Sequence, residues 1–421
     1  MPITLQPLAP HALPPSLTTR SHLILSSPAT IDFNSPGAQG FGVKRAGLTI
    51  PGSIMLLISP ACCGRNTRAL SGPGRYGERF AYLELSTTDI VTGAHLRKIP
   101  EAACLFLESR TDAPSCLLLC TTCVDALLGT DMDRIARQTE SLIHLPTRPC
   151  YMYALTRESL HPPMVQVRET IASLLQKPSI KPQRSQSLNI LGYFSPMVPD
   201  SDLFPILRTL GFSNIRQLST CRTYRDFQAM AHSALNLVLS PESLPAAEQM
   251  AERLDIPYIT LRRFYTPGRI HKQYQALARA LGTSIDDTRL LNEAKAAICS
   301  IRNLCPRTVA IGSRLNADPL ELALLLISCG FVVTDIITTL DDSDAYFLAL
   351  LKEVSPLTRL HGSLDPSMAF FHPETMPDLT IGADAAAYYP CVANIPWNEE
   401  TQPFGYQAVI SLLKEIAHII E

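Results

Sequence analysis

The residues of this chain best suited to chemistry are two cysteine clusters, Pro60-Ala61-Cys62-Cys63-Gly64 and Cys120-Thr121-Thr122-Cys123. Thiolates select soft or borderline metals, and iron–sulfur clusters are held by them. Each cluster closes a short apolar run: Ile54–Ser59 (IMLLIS) before the first, Ser115–Leu119 (SCLLL) before the second. Such runs read as buried strands, so both clusters are expected at strand C-termini, the edge where open α/β sheets bind ligands. The second cluster opens an expected helix with Val124, Leu127 and Leu128 as its apolar face, and helix-end N–H groups favour an anionic group there. Gly64 would let the backbone come close to an inorganic sulfide. Spacing alone leaves alternatives open. The tandem Cys62-Cys63 is atypical of a zinc knuckle, and Thr121-Thr122 is atypical of a thioredoxin centre. Four buried, unligated cysteines explain the spacing as well as a cluster does.

The elements that must position these thiols follow a repeated pattern. Leu188–Phe194 (LNILGYF) reads as a strand and is followed by a helix with Leu203, Ile206, Leu207 and Leu210 on one face. Gly211 stops that helix, and a strand resumes near Ile215–Leu218. A second unit runs Thr308–Ile311, then a helix with Asp318 as N-cap, Pro319 in its first turn and Gly330 as its stop, then the strand Phe331–Ile337. Strands alternating with helices predict parallel sheets covered on both faces. Two linkers, Lys177–Ser187 (KPSIKPQRSQS) and Asn303–Arg307 (NLCPR), divide the chain. The expected fold is α/β: three Rossmann-like blocks over residues 1–184, 185–304 and 305–395, each a mostly parallel sheet flanked by helices, with a cleft between them. The last segment, 396–421, carries a helix over Tyr406–Ile420 that is expected to pack back on the first block.

Composition narrows the function classes. At 421 residues the chain is long enough for two or three cores. Its formal net charge of −2 gives no reason to expect nucleic acid or an anionic membrane surface. The longest apolar stretch, Leu322–Val333, is broken by Ser328, Cys329 and Gly330 and is too short to span a bilayer. The proline-rich beginning (Pro2, Pro7, Pro10, Pro14, Pro15) lacks a basic-then-apolar leader, so no signal peptide is expected. The 12 cysteines are scattered through apolar segments, as Cys104, Cys299 and Cys329 show, which suits a reducing cytoplasm better than a disulfide framework.

Around the thiols the chain resembles the nitrogenase component 1 family, which includes catalytic subunits, cofactor-assembly scaffolds and nitrogenase-like tetrapyrrole reductases. Pro60 and Cys63 fit its first ligand motif, and Thr88-Asp89-Ile90-Val91-Thr92-Gly93 fits its acidic loop. Thr122-Cys123-Val124-Asp125-Ala126-Leu127-Leu128-Gly129-Thr130-Asp131 fits its second ligand motif. Further on, Leu235–Ser240, Ile256-Pro257-Tyr258, Phe264–Gly268, Pro377–Gly382 and Phe404-Gly405-Tyr406 follow in the family's order. The likeness runs from about Gly37 onward.

The resemblance implies an oxidoreductase subunit with Cys63 and Cys123 as ligands of an iron–sulfur cluster, 4Fe-4S or larger, at a subunit interface. It implies anaerobic electron transfer from a partner iron protein that hydrolyses ATP; this chain itself has no GxxxxGK[ST] phosphate loop. A homodimer, or a heterodimer with a paralogous subunit, is the expected assembly. Departures matter as much. The family's N-terminal ligand cysteine should fall near Pro36–Gly40 and is absent, so Cys62 and Cys120 are extra thiols that can stand in for it. Ser240 occupies the place of the cofactor-binding cysteine, and Asn394-Ile395-Pro396-Trp397 lacks the cofactor histidine, so nitrogen is not the expected substrate. A cluster-assembly scaffold and a non-catalytic partner subunit remain alternatives. Arg262, Arg263 and Tyr265 are candidates for holding an anionic ligand in the cleft, with Ser240 beside them. Ser313-Arg314 can face the same cleft, and His361 and His372, read as loop residues, can act as proton donors. His144 reads as a core histidine, Trp397 and Tyr388-Tyr389 as packing residues, and Asp341-Asp342-Asp344 as a helix start.

Overall fold

The computed structural model describes residues 3–4 (backbone), 46–61, 77–151, 162–178, 186–363, 365–399 and 401–421. Three mostly parallel sheets flanked by helices make up the described chain, as the α/β pattern predicts.

The first sheet contains β2 (Ser53–Ser59), β3 (Phe80–Glu84), β4 (Cys116–Thr121) and β5 (Thr147–Tyr151), in the order β3-β2-β4-β5. Every residue of β2 and β4 is buried, as continuous apolar runs in a parallel sheet require. Between these strands lie α1 (Thr87–Val91), α2 (His95–Glu108), α3 (Cys123–Leu128) and α4 (Met132–Ile143). Alternate residues serve two cores. Ile54, Leu56, Ile58, Leu117 and Leu119 pack with α2 and α4. Met55, Leu57, Leu118 and Cys120 pack with α5 (Pro163–Ser173) and with residues of the second sheet's layer such as Phe227 and Met250. The first two sheets therefore share a core.

The second sheet, ordered β7-β6-β8-β9, holds β6 (Ser187–Leu191), β7 (Asn214–Gln217), β8 (Leu235–Val238) and β9 (Tyr258–Thr260). Its helices are α6 (Leu203–Thr209), α7 (Tyr224–Gln228), α8 (Leu244–Leu254), α9 (Pro267–Ala280) and α10 (Thr288–Ile301). The third sheet, ordered β1-β12-β11-β10-β13-β14, has β10 (Thr308–Ile311), β11 (Val332–Thr338), β12 (Arg359–Gly362), β13 (Leu379–Ile381) and β14 (Ala393–Ile395) in parallel. Its outer strand β1 (Ile3–Thr4) runs antiparallel to β12. The helices here are α11 (Pro319–Cys329), α12 (Ala345–Val354), α13 (Ala385–Tyr388) and α14 (Tyr406–Ile420).

Local chemistry sets the boundaries. Asp318 accepts from the N–H groups of Leu320 and Glu321, Pro319 opens α11, and Gly330 closes it at φ +99°. The expected helix over Tyr406–Ile420 is present as α14, but its packing corrects the expectation. It lies along α10 and touches α9 and β14, with Leu412, Leu413 and Ile416 in the core shared by the second and third sheets rather than on the first block. The reason is at its N-terminus, where Gln407 N–H donates to buried Asp202 at 2.8 Å and so fixes the helix start to the second sheet's layer.

Candidate functional site at the strand ends

Each sheet order contains a point where the chain reverses its direction of winding: between β2 and β4, between β6 and β8, and between β10 and β13. Crevices outside the carboxyl ends of strands at such points are where open α/β sheets bind ligands.

At the first point, Cys123 is the opening residue of α3, half-buried and free of a disulfide. Cys120 lies one turn of the chain earlier, inside β4, fully buried in register with Cys150, on the face packed against the second layer. Cys62 and Cys63 lie outside the described residues. Among the described residues, no three His, Cys, Asp or Glu side chains converge as a metal-ligating group. The helix after Cys123 is inverted relative to its expected amphipathicity. Leu127 is 77% and Leu128 45% exposed, whereas Asp125 is buried. Six residues closed by Gly129 at φ +63° are too few to turn a full apolar stripe inward. Among the described residues neither Asp125 carboxylate oxygen has a partner in hydrogen-bond geometry, and burial pushes its pKa up to about 6. His95, the first residue of α2, is buried nearby with Nδ1 3.1 Å from the Asp89 carbonyl. Asp89 itself, from the acidic loop, caps α1 through Ser86 and pairs with Lys98 at 2.6 Å; the Lys98 ammonium holds its pKa down at about 2.

At the second point, Ser240 follows β8, buried, with its hydroxyl 3.4 Å from the Gly192 carbonyl and 3.3 Å from Ser243 Oγ. Arg168 reaches over from α5. It donates to Gly192 O at 2.7 Å and Ser243 Oγ at 3.0 Å, with its guanidinium 4.6 Å from the Phe194 ring centre. A cavity of about 60 Å³ opens beside them, lined by Gly192, Tyr193, Phe194 and Ser243 among apolar side chains. A hydroxyl turned into hydrogen bonds with Gly192 and Ser243 does not fit the role of a soft-metal ligand. At the third point, the Asp384 carboxylate accepts from Ser313 N, Ser313 Oγ and Arg314 N at 2.7–3.0 Å. The loop bearing Ser313-Arg314 is thereby fixed, and Gly312 has no room for a side chain against Asp384.

The three cleft candidates after β9 separate. Arg262 is exposed, with its backbone N–H on Gln273. Tyr265 is sealed in the core: its hydroxyl donates to Asn316 O at 2.8 Å and accepts from Trp397 Nε1. Buried Glu321 accepts from the backbone N–H groups of Tyr265 and Thr266, 2.8 Å each, at the start of α9. Arg263 stays half-buried between Tyr193 and Phe404.

Two buried polar networks escape pattern reading. Asp335, within the apolar strand β11, takes Arg359 on both oxygens at 2.8 Å and His361 Nε2 at 2.7 Å. These partners lower its pKa against the cost of burial. His361 is thus a buried strand residue on β12, not a loop histidine; an Asp inside FVVTDII was the signal that a buried partner existed. Elsewhere, Asp202 accepts from Tyr274 while Asp287 accepts from Tyr406, from His271 Nδ1 at 2.8 Å and from Gln275 Nε2 at 3.0 Å. His144, expected in the core, is the exposed C-cap of α4 at φ +53°.

Three mostly parallel sheets, each with one winding reversal, define a Rossmann-like multi-sheet α/β fold. The family model for nitrogenase component 1 type oxidoreductases matches residues 38–421, and the chain belongs to that family. It is similar to the nitrogenase iron-molybdenum cofactor biosynthesis protein NifE of Sinorhizobium fredii (strain NBRC 101917 / NGR234), 23% identical over 93% of this chain and 82% of the relative. The same protein of Rhizobium meliloti (strain 1021) is 23% identical over 89% and 83%. A solved structure of nitrogenase Cp1 at pH 6.5 superposes with a TM-score of 0.67, 15% identity and 98% and 95% coverage, which shows the shared fold. No helix among the described residues is long and apolar enough to cross a membrane.

Proposed function

We propose that this chain is a component 1 type subunit that relays electrons from an ATP-hydrolysing iron protein to a ligand other than nitrogen, held at the strand ends. The observation that carries the reading is Cys123, a half-buried thiol opening α3 at the first sheet's winding reversal. An iron–sulfur cluster held there by Cys63 and Cys123, with Cys62 available as a further thiolate, would supply one-electron transfer. Exposed Leu127 and Leu128 flank that edge, and apolar side chains turned outward suit an interface with a partner subunit or with the iron protein. Ser240, engaged with Gly192 and Ser243, supports the view that the ligand is not anchored to the chain by a metal–thiolate bond.

The second reading is an assembly scaffold that holds a metallocluster and passes it on. It is favoured by the likeness to cofactor biosynthesis proteins along nearly the whole chain. Both readings need the thiols. Iron and sulfide analysis of anaerobically purified wild type, Cys63→Ala and Cys123→Ala tests them together. Loss of iron in either variant is expected, and an iron-free wild type would sink both. Turnover of a small substrate with iron protein and ATP then separates the enzyme from the scaffold.

A further inference from the structure

We propose that Arg263 anchors an anion site at the C-terminal edge of the second sheet, taking the carboxylate or phosphate group of a ligand. Arg263 follows β9. Tyr193 follows β6 at the winding reversal, and Phe404 comes from the loop that leads into α14. The guanidinium lies 5.6 Å from the Tyr193 ring centre and 5.2 Å from that of Phe404. Of its five N–H donors, one goes to Pro403 O and one to the Tyr193 hydroxyl at 3.1 Å. The guanidinium also lies against the Tyr265 hydroxyl, and among the described residues Nε–H is buried with no acceptor in hydrogen-bond geometry.

The charge is as open as the donors. Among the described residues no carboxylate pairs with Arg263. Two other half-buried arginines are balanced by carboxylates, Arg359 by Asp335 and Glu374 and Arg148 by Glu140, whereas Arg216 and Arg253 are met by Ser233 and by backbone carbonyls. A cation withdrawn from water among aromatic rings is costly until an anion balances it. Two ring faces orient the planar group, and its remaining N–H groups suit the two oxygens of a carboxylate or phosphate. Tyr193 also lines the cavity at the winding reversal, so an anion held by Arg263 would have the rest of its molecule beside an apolar recess. Arg262 is solvated and Tyr265 is sealed, which leaves Arg263 as the residue of the three that can meet a ligand.

This inference rests on the proposed function only in placing the ligand at these strand ends. The test is calorimetric titration of the purified chain at low salt with succinate and, separately, inorganic phosphate. Wild type, Arg263→Gln, Arg263→Lys and Arg262→Gln are compared, with circular dichroism as the check of folding. Saturable binding of at least one probe by wild type is expected, weakened at least tenfold in R263Q and unchanged in R262Q. The probe that binds tells carboxylate from phosphate. If R263Q does not fold, R263K decides, with at least threefold weakening expected because its single point charge loses the planar fork. No saturable binding by wild type, or wild-type affinity in the deciding variant, overturns the proposal. Binding is expected to persist in Cys123→Ala and iron content to persist in R263Q, so the anion site and the cluster fail or stand separately.

Discussion

Tyr274 donates its hydroxyl to Asp202 Oδ2 at 3.0 Å, and Gly405 passes directly over the pair. A Cβ at position 405 would fall far inside van der Waals contact of both atoms, and the backbone there is left-handed at φ +84°. Gly405→Ala therefore combines strain with overpacking and is expected to cost about 2–5 kcal/mol. Urea denaturation followed by tryptophan fluorescence reads it directly, since Trp397 lies in the same core. An unchanged midpoint would show that α14 is not seated as described.

The same aspartate makes a pH prediction. Burial raises the Asp202 pKa from 3.8 to about 6. The folded state thus binds its proton more tightly than the unfolded state. The stabilisation is complete below about pH 4 and is lost as pH rises through about 6. Two units correspond to about 3 kcal/mol. Asp202→Asn lacks this titration, so between pH 4 and 7 wild type should lose up to that much stability relative to the variant. Parallel slopes in the two proteins would contradict the burial argument. Asp335, whose pKa is lowered by His361 and Arg359, works in the opposite direction in both proteins and cancels from the comparison.

The two thiols that end the second cysteine cluster should behave differently. Cys120→Ala removes a buried sulfur from a packed strand and is expected to cost about 1–2 kcal/mol while leaving iron content intact. Cys123→Ala removes a half-buried thiol from a helix start and is expected to lower iron with little loss of stability. Iron analysis beside thermal melting checks both, and the reverse pattern would move the ligand role to Cys120.

Glu321 caps the start of α9 from another helix, accepting from two backbone N–H groups. Glu321→Ala leaves the buried Tyr265 N–H and the half-buried Thr266 N–H without their acceptor, about 2–5 kcal/mol. Glu321→Gln keeps one acceptor and should lose about half of that. Equal destabilisation by both substitutions would mean that packing, not capping, dominates.

Much of the fold was legible because local rules set element ends. β10 matches the expected Thr308–Ile311, and Asp318, Pro319 and Gly330 bound α11 as capping chemistry requires. The packing partner of α14 was not legible, because an apolar stripe such as Leu412, Leu413 and Ile416 says that a helix is buried but not against what. Leu127 and Leu128 misled for a related reason: apolar spacing in a short helix does not say which side faces solvent. Arg262, Arg263 and Tyr265 are near neighbours with three different fates: Arg262 is exposed, while Arg263 and Tyr265 are held by Tyr193 and Trp397, which lie far off in the chain. Such contacts leave no local trace.

The outer strand β1 sets residue 3 against residue 360. That pairing closes a loop holding all of the first two sheets, so its entropy cost is met only when those sheets are already compact. It should be among the last contacts made during folding and among the first to open. Once it opens, the backbone edge of β12 is free to take up another strand. A two-residue strand remote in sequence from the rest of the third sheet is therefore the guard of that sheet's edge against aggregation.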